Sequence, residues 1–198
     1  MYTERNPEVQ KLIVGISGAS GVILGIRIME VLRENKKIET HLVLTKAARL
    51  TIEIETDWKV PDVEALANVN YYPDDVGASI ASGSFITIGM LIAPCSIKTL
   101  SAVANSYDND LLSRAADVQL KEGRPVILML RDTPLHRGHL RLMKLAAENG
   151  CILMPPIPTF YGRPKTVDEI VDGIVGRTLL RLGIDNQLYT HWEGIQES

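Results

Sequence analysis

Lys11–Ser17 (KLIVGIS), His41–Thr45 (HLVLT), Met90–Pro94 (MLIAP) and Pro125–Leu130 (PVILML) are continuous aliphatic runs, not alternations of apolar and polar residues. A strand of this kind has no face left for water, so it belongs in a sheet covered on both sides. Segments of helical character lie between the runs: Val22–Glu34, Ala47–Glu55, Ser96–Ser106, Asp110–Glu122 and Pro134–Asn149. Ile152–Met154 reads as a short further strand, and Thr166–Leu182 as a C-terminal helix closed by Gly183. Strands alternating with helices give βαβ units and a mostly parallel sheet in a three-layer α/β fold. Asp57–Ala78 fits neither pattern and reads as a long polar excursion. With no linker or repeat in view, residues 1–198 are expected to form one domain with a loose tail over 1–10.

Composition narrows the function. Of 198 residues, 45% are hydrophobic, which is too apolar for a disordered chain. The net charge is −3, a poor match to the basic surface that nucleic acids require. No apolar run approaches the ~18 residues of a membrane span. Cys95 and Cys151 sit in apolar segments without zinc-like spacing and read as small buried hydrophobes. The opening MYTERNPEVQ has no apolar core of a signal peptide, so a cytoplasmic location is expected. Mean hydropathy is +0.06 although only 5% of residues are aromatic. Val22–Glu34 carries its polar residues Arg27, Glu30 and Glu34 on one narrow stripe. That pattern predicts apolar surface buried between subunits.

In an open parallel sheet, ligands sit beyond the carboxyl ends of the strands. Four segments follow strands here and should share one edge: GISGASG, LTKAA, APCSIKT and LRDTPLH. Gly15–Gly21 has the spacing G-x-x-G-x-x-G, which is neither the dinucleotide fingerprint nor a P-loop. Its small residues allow close backbone approach and lead into a helix N-terminus, though a plain tight βα turn would look the same. Ser96-Ile97-Lys98-Thr99 opens a helix with two hydroxyls and a lysine, which suits a phosphate and also suits an ordinary N-cap. Ala81-Ser82-Gly83-Ser84 is a third candidate anion site. Lys121, Arg131, Arg163, Lys165 and Arg177 recur near the expected edge, and Arg131 stands out because it directly follows an aliphatic strand.

Taken together, the segments GISGASG (15–21), ETHLVLTKAA (39–48), IETD (54–57), SGSF (82–85), APCSIKTLSAVA (93–104), RAADVQLKEGRP (114–125), LRDTPLHRGHLRLM (130–143) and MPPIPTFYGRP (154–164), with IVGR before a terminal HW, resemble the flavin prenyltransferases of the UbiX type. These include the B subunits associated with phenolic-acid decarboxylases. The resemblance runs from Lys11 to about Gly194. It implies a flavodoxin-like or Rossmann-type subunit in a homododecamer. It also implies transfer of the dimethylallyl group of dimethylallyl phosphate to N5 and C6 of reduced FMN, without a metal. The product, prenylated FMN, would pass to a UbiD-type decarboxylase. The chain has no DDxxD metal–diphosphate motif, in keeping with this.

The same resemblance implies roles for individual residues. Gly18, Ala19 and Ser20 match one FMN loop, and Ser96, Ile97, Lys98 and Thr99 the other. Thr45 stands where the family usually has Ser and keeps the hydroxyl. Arg131 matches an arginine between flavin and substrate. Ser82, Gly83, Lys121, Tyr161 and Arg177 match the group that grips the substrate phosphate. Ser20 and Glu55 match residues implicated in proton handling, and Trp192 matches an aromatic lid. Asp132 replaces the usual Glu near the leaving phosphate and is one methylene shorter. Two alternatives stand beside this assignment: an FMN-dependent cysteine decarboxylase of the same fold, and a non-catalytic flavin carrier subunit of a decarboxylase. The cysteine decarboxylases rely on a catalytic His and a PxMNxxMW-like segment. His41, His136, His139 and His191 sit in other contexts, and the segment is absent.

Overall fold

In a computed structural model that describes residues 9–194, the aliphatic runs form the centre of a six-stranded sheet. The strands are β1 (Gln10–Ile16), β2 (Ile38–Leu44), β3 (Val69–Tyr71), β4 (Met90–Cys95), β5 (Val126–Leu130) and β6 (Ile152–Leu153). Every recorded pairing is parallel, in the order β3-β2-β1-β4-β5-β6. This is the strand order of the Rossmann type of doubly wound sheet. Gln10, counted with the loose tail above, opens β1 opposite Ile38. Residues 1–8 lie outside the described residues.

Among the described residues, seven helices cover the two faces: α1 (Val22–Glu34), α2 (Lys46–Glu55), α3 (Val60–Glu64), α4 (Ile97–Ala104), α5 (Leu111–Lys121), α6 (Arg137–Glu148) and α7 (Val167–Arg181). Side chains along a strand point alternately to opposite faces, and the core divides accordingly. Leu12, Val14 and Ile16 of β1 join α1, α2, α3 and α7 on one side. Ile13 joins α4, α5 and α6 on the other. Cys95 and Cys151 are free and buried, and burial pushes the Cys151 thiol up to about 11.

Asp57–Ala78 is more ordered than its composition suggests, since it contains α3 and the edge strand β3. Strand β2 also begins three residues earlier than the apolar pattern indicates. Thr40 is buried there because Asn68 accepts from both its backbone N–H (2.8 Å) and its hydroxyl (3.0 Å). His41 is 2% exposed, with its ring nitrogens 3.0 Å from the Tyr71 hydroxyl and 2.8 Å from Glu39. Burial holds its pKa below the usual value, against the pull of Glu39.

Helix α1 corrects one expectation. Its apolar surface is covered within the chain rather than by another subunit. Leu24, Ile28 and Leu32 are buried with Val171, Val175 and Leu179 of α7. Arg27 on the polar stripe donates to Asp172 of α7 at 2.7 Å. The stripe is narrow because α7 covers the flank that would otherwise face solvent. The surplus apolar surface lies elsewhere, on Leu50, Ile54, Ile86, Leu140, Ile157 and Phe160.

Gly25 lets α1 settle on the sheet. A Cβ at this position would lie 2.2 Å from the Ala93 carbonyl oxygen and 2.8 Å from Ile16 Cδ1. Backbone cannot yield as a flexible side chain can, so Gly25→Ala should cost about 1–3 kcal/mol of stability despite the better helix propensity of Ala. Urea unfolding checks this, and an unchanged or raised midpoint would contradict it.

Candidate functional site

The strand order reverses between β1 and β4, so the loops leaving these strands diverge and open a crevice at their carboxyl ends. A cavity of about 630 Å³ occupies this position. All four post-strand segments reach it: Gly18, Ala19 and Ser20; Thr45, Lys46 and Ala47; Ser96, Ile97, Lys98 and Thr99; Arg131 and Asp132. Residues on the far rim, Pro73, Asp74, Asn109, Asp110 and Ser113, carry no site signal in the sequence because they follow no recognisable strand.

Ser17 joins the two principal loops. It is 1% exposed. Its hydroxyl donates to the Pro94 carbonyl at 2.8 Å and accepts from the Ser96 N–H at 2.8 Å. Its own N–H also donates to Pro94, at 3.2 Å. One side chain therefore ties the end of β1 to the start of α4. Gly18 sets a second close approach, since a Cβ there would lie 2.3 Å from Ala47 Cβ. Gly21 caps α1 at φ 91°, a left-handed conformation that suits glycine.

Glu55 does not line the cavity. From the end of α2, its Oε2 accepts from the Gly21 N–H at 2.7 Å, beside Ser20. It thus accepts the N-cap N–H bond that a Glu or Gln at the third helical position would take, which Leu24 there cannot.

Four helix N-termini, those of α1, α2, α4 and α5, therefore border one cavity. Thr45 caps α2 by accepting from the Ala48 N–H at 3.1 Å. Ser96 caps α4 by accepting from the Thr99 N–H at 3.3 Å. Among the described residues, the N–H groups of Ile97 and Lys98 have no protein acceptor. Unpaired N–H groups at a helix start, beside a lysine, form a site for an anion.

The charges point the same way. Lys46 pairs with Asp74 at 3.1 Å, but both side chains are more than three-quarters exposed, so the pair contributes little. Asp110 is taken up in capping α5, accepting from the Ser113 N–H at 2.8 Å. Asp132 accepts from the Thr133 N–H at 2.8 Å. Lys98 and Arg131 have no carboxylate partner among the described residues. The Arg131 N–H donates to the Cys95 carbonyl at 3.1 Å, which sets this arginine beside the α4 loop.

Tyr161, Arg177 and Trp192 form a second cluster around a residue not singled out in the sequence, Tyr189. The Tyr161 and Tyr189 hydroxyls are hydrogen-bonded. The Tyr161 and Trp192 rings meet edge to face at 5.6 Å, and the Arg177 guanidinium lies 5.8 Å from the Tyr189 ring centre. The hydrogen bond to Tyr161 holds the Tyr189 hydroxyl above its usual pKa. The aromatic run at Tyr189–Trp192 was the available signal for it.

Ser82, Gly83 and Lys121 lie away from the cavity, which corrects the expectation that Lys121 stands near the same edge. Helix α5 starts at the cavity rim and runs back against the strand direction to feed β5. Its 11 residues carry Lys121 about 15 Å along the axis, at a rise of ~1.5 Å per residue. The Ser82–Gly83 turn meets that far end through Arg124, which donates to the Gly83 carbonyl at 2.8 Å. Among the described residues, no histidine lines the cavity. The His136 ring instead accepts from the Gly138 N–H at 2.9 Å and caps α6.

A Rossmann-type sheet with an anion cavity at its switch point defines a nucleotide-type binding protein. The protein-family model described as Flavoprotein matches residues 2–179. Flavin prenyltransferase UbiX of Escherichia coli K12 is 53% identical over 188 residues, 94% of this chain and 100% of that protein. The flavin prenyltransferase UbiX of Thauera aromatica is 55% identical over 187 residues, 94% of this chain and 96% of that one. The crystal structure of AnUbiX (PadA1) in complex with FMN and dimethylallyl pyrophosphate superposes with a TM-score of 0.92 at 40% identity, covering 94% and 99% of the two chains. The chain belongs to the UbiX flavin prenyltransferase family.

Ser17→Ala should lower unfolding free energy by about 1–3 kcal/mol, because it removes the donor to the buried Pro94 carbonyl and leaves the half-buried Ser96 N–H without its acceptor. Chemical denaturation measures this. A loss within experimental scatter would show that Ser17 does not hold the loops together.

Proposed function

We propose that this protein joins the dimethylallyl group of dimethylallyl phosphate to N5 and C6 of reduced FMN and yields prenylated FMN. Full-length identity above 50% to curated flavin prenyltransferases carries this reading. The cavity suits the flavin in its own right. Its volume lies within the roughly 300–1,000 Å³ of small-molecule sites. Its free N–H groups at Ile97 and Lys98 and the Lys98 ammonium match a terminal phosphate. Reduced FMN, when bound, supplies the electron-rich ring that accepts the prenyl carbon.

The protein's own groups then have defined tasks. Gly18, Ala19, Ser20, Thr45 and Ser96–Thr99 bind and orient the flavin. Arg131 stands between flavin and prenyl donor. Lys121, Tyr161 and Arg177, with Ser82 and Gly83, hold the donor phosphate and stabilise the charge that develops as it leaves. Ser20 and Glu55 handle the proton, with Glu55 fixed by its bond to the Gly21 N–H. Trp192 closes the site against water, which would quench an allylic cation. Asp132 acts near the departing phosphate.

Lys121 and the Ser82 turn stand at the far end of α5, so a neighbouring copy brings them to the cavity. A dodecamer answers to this, and the UbiX-like decarboxylase of Escherichia coli O157:H7, 45% identical with a TM-score of 0.91 over 93% of this chain and 100% of that one, is dodecameric. The apolar residues left exposed in the single chain supply contact surface for such an assembly. The product serves a UbiD-type decarboxylase. The cytoplasm suits two free thiols, and no described helix is long and apolar enough to cross a membrane.

Anaerobic incubation with reduced FMN and dimethylallyl phosphate, followed by flavin mass analysis, should show a flavin heavier by one C5H8 unit. Tight FMN binding without that product would favour a carrier role. Asp132→Glu restores the usual reach of the carboxylate, so single-turnover rates should rise. An unchanged rate would show that the shorter side chain does not limit phosphate departure.

A further inference from the structure

The described residues leave one part of the donor site without an account of how it keeps its shape. Ser82–Phe85 is an exposed turn closed by the Phe85 N–H donating to the Ser82 carbonyl at 3.2 Å. The N–H groups of Gly83 and Ser84 have no protein acceptor among the described residues. Successive free N–H groups of this kind form a concave donor site for an anion. A turn held only by its own weak closure would be a poor one, because its amides would have to be ordered each time a ligand arrives.

Arg124 supplies the order. Its Nη2 donates to the Gly83 carbonyl and its Nη1 to the Phe85 carbonyl, both at 2.8 Å. The C=O and N–H of a trans peptide point in opposite directions across one plane. Drawing the Gly83 carbonyl toward Arg124 therefore turns the Ser84 N–H away from it, to the open side of the turn.

Arg124 is itself fixed by the end of α5. Gly123 adopts φ 68°. The Gly123 N–H donates to the Leu120 carbonyl at 3.0 Å, and the Arg124 N–H to the Gln119 carbonyl at 2.9 Å. These two bonds make a Schellman close that leaves the Arg124 backbone little freedom. The buried Gln119 side chain accepts from the Thr87 hydroxyl at 2.5 Å, which holds the chain just beyond the turn to the same helix. Lys121, the last residue of α5, shares this base; its ammonium lies 3.3 Å from Glu122 Oε1, which packs against Gly83, so an arriving phosphate displaces that partly exposed pair.

We propose that Arg124 is a positioning residue for the prenyl donor: it touches no substrate, but holds the Ser82–Phe85 turn so that the Ser84 N–H and the Ser82 hydroxyl face the donor phosphate in register with Lys121. This rests on the prenyltransferase reading given above. Lysine cannot replace it well, since one ammonium cannot reach two carbonyls in the planar fork of a guanidinium.

The test uses the assembled protein with reduced FMN under anaerobic conditions, and Arg124→Ala, Arg124→Lys and Ser82→Ala variants. Arg124→Ala should raise KM for dimethylallyl phosphate about tenfold or more, since small misplacements of binding groups cost rates of that order. FMN affinity should stay within about twofold of the parent, because the flavin loops stand at the other end of α5. Added methylguanidinium should recover part of the loss in Arg124→Ala. Ser82→Ala should cost much less in the Arg124→Ala background than alone, as expected of residues acting as one unit. If Arg124→Ala does not assemble, Arg124→Lys should show the same KM effect in smaller degree. An unchanged donor KM, or a matching loss of FMN affinity, would overturn the proposal. Failure of the parent protein to form prenylated FMN would instead overturn the function on which it rests.

Discussion

The functional architecture depends on a single buried hydroxyl. Ser17 directly follows β1, donates to the Pro94 carbonyl and accepts from the Ser96 N–H, so the loops after β1 and β4 are joined where the sheet changes direction. The geometry matters because the switch point would otherwise drive these loops apart. With Ser96 held, α4 starts toward the cavity and leaves the N–H groups of Ile97 and Lys98 free to meet an anion. The exposed Lys46–Asp74 pair shows the contrast in magnitude. Such pairs contribute between about 0 and 1 kcal/mol, whereas breaking a buried, fully satisfied bridge costs about 1–3 kcal/mol.

Helix α5 sets a second constraint by separating the binding chemistry into two parts. Asp110 and Ser113 at its start border the flavin cavity, while Lys121 stands at its other end and Arg124, just beyond, donates to the Gly83 and Phe85 carbonyls of the Ser82 turn. Within one chain these parts do not meet. A closed assembly resolves this, because a neighbour can bring its far end to the cavity of the first copy. The exposed side chains of Ile86, near that turn, and of Leu50 and Ile54, on α2, are the kind of surface such contacts cover.

Much of this was legible in the sequence, for stated physical reasons. Short uninterrupted aliphatic runs such as PVILML, bounded by turn residues and alternating with helical segments, read as strands buried on both faces, and the rule that ligands gather at the carboxyl ends then places Gly18, Thr45, Lys98 and Arg131 around one cavity. Strand β3 was hidden because three half-exposed residues at a sheet edge carry no periodic signal. The start of β2 was hidden because Thr40 and His41 are polar by type and buried only through partners distant in sequence, Asn68 and Tyr71. Lys121 was misplaced because distance along a helix reverses the edge to which a residue belongs. The narrow polar stripe of α1 is legible in the sequence, but no sequence pattern says that α7, and not another subunit, covers the apolar surface beside it. Ser17 and Arg124 had no local signature, because their roles consist of contacts made after folding.

The central claim is that the cavity is built around a phosphate group. Comparing the affinities of FMN and riboflavin tests it most directly, since the two ligands differ only by that phosphate. Two or more charge-assisted hydrogen bonds of about 1.5 kcal/mol each predict that FMN binds on the order of a hundredfold more tightly. Equal affinity for the two would contradict the claim, because the free N–H groups and Lys98 would then have no part in holding the ligand.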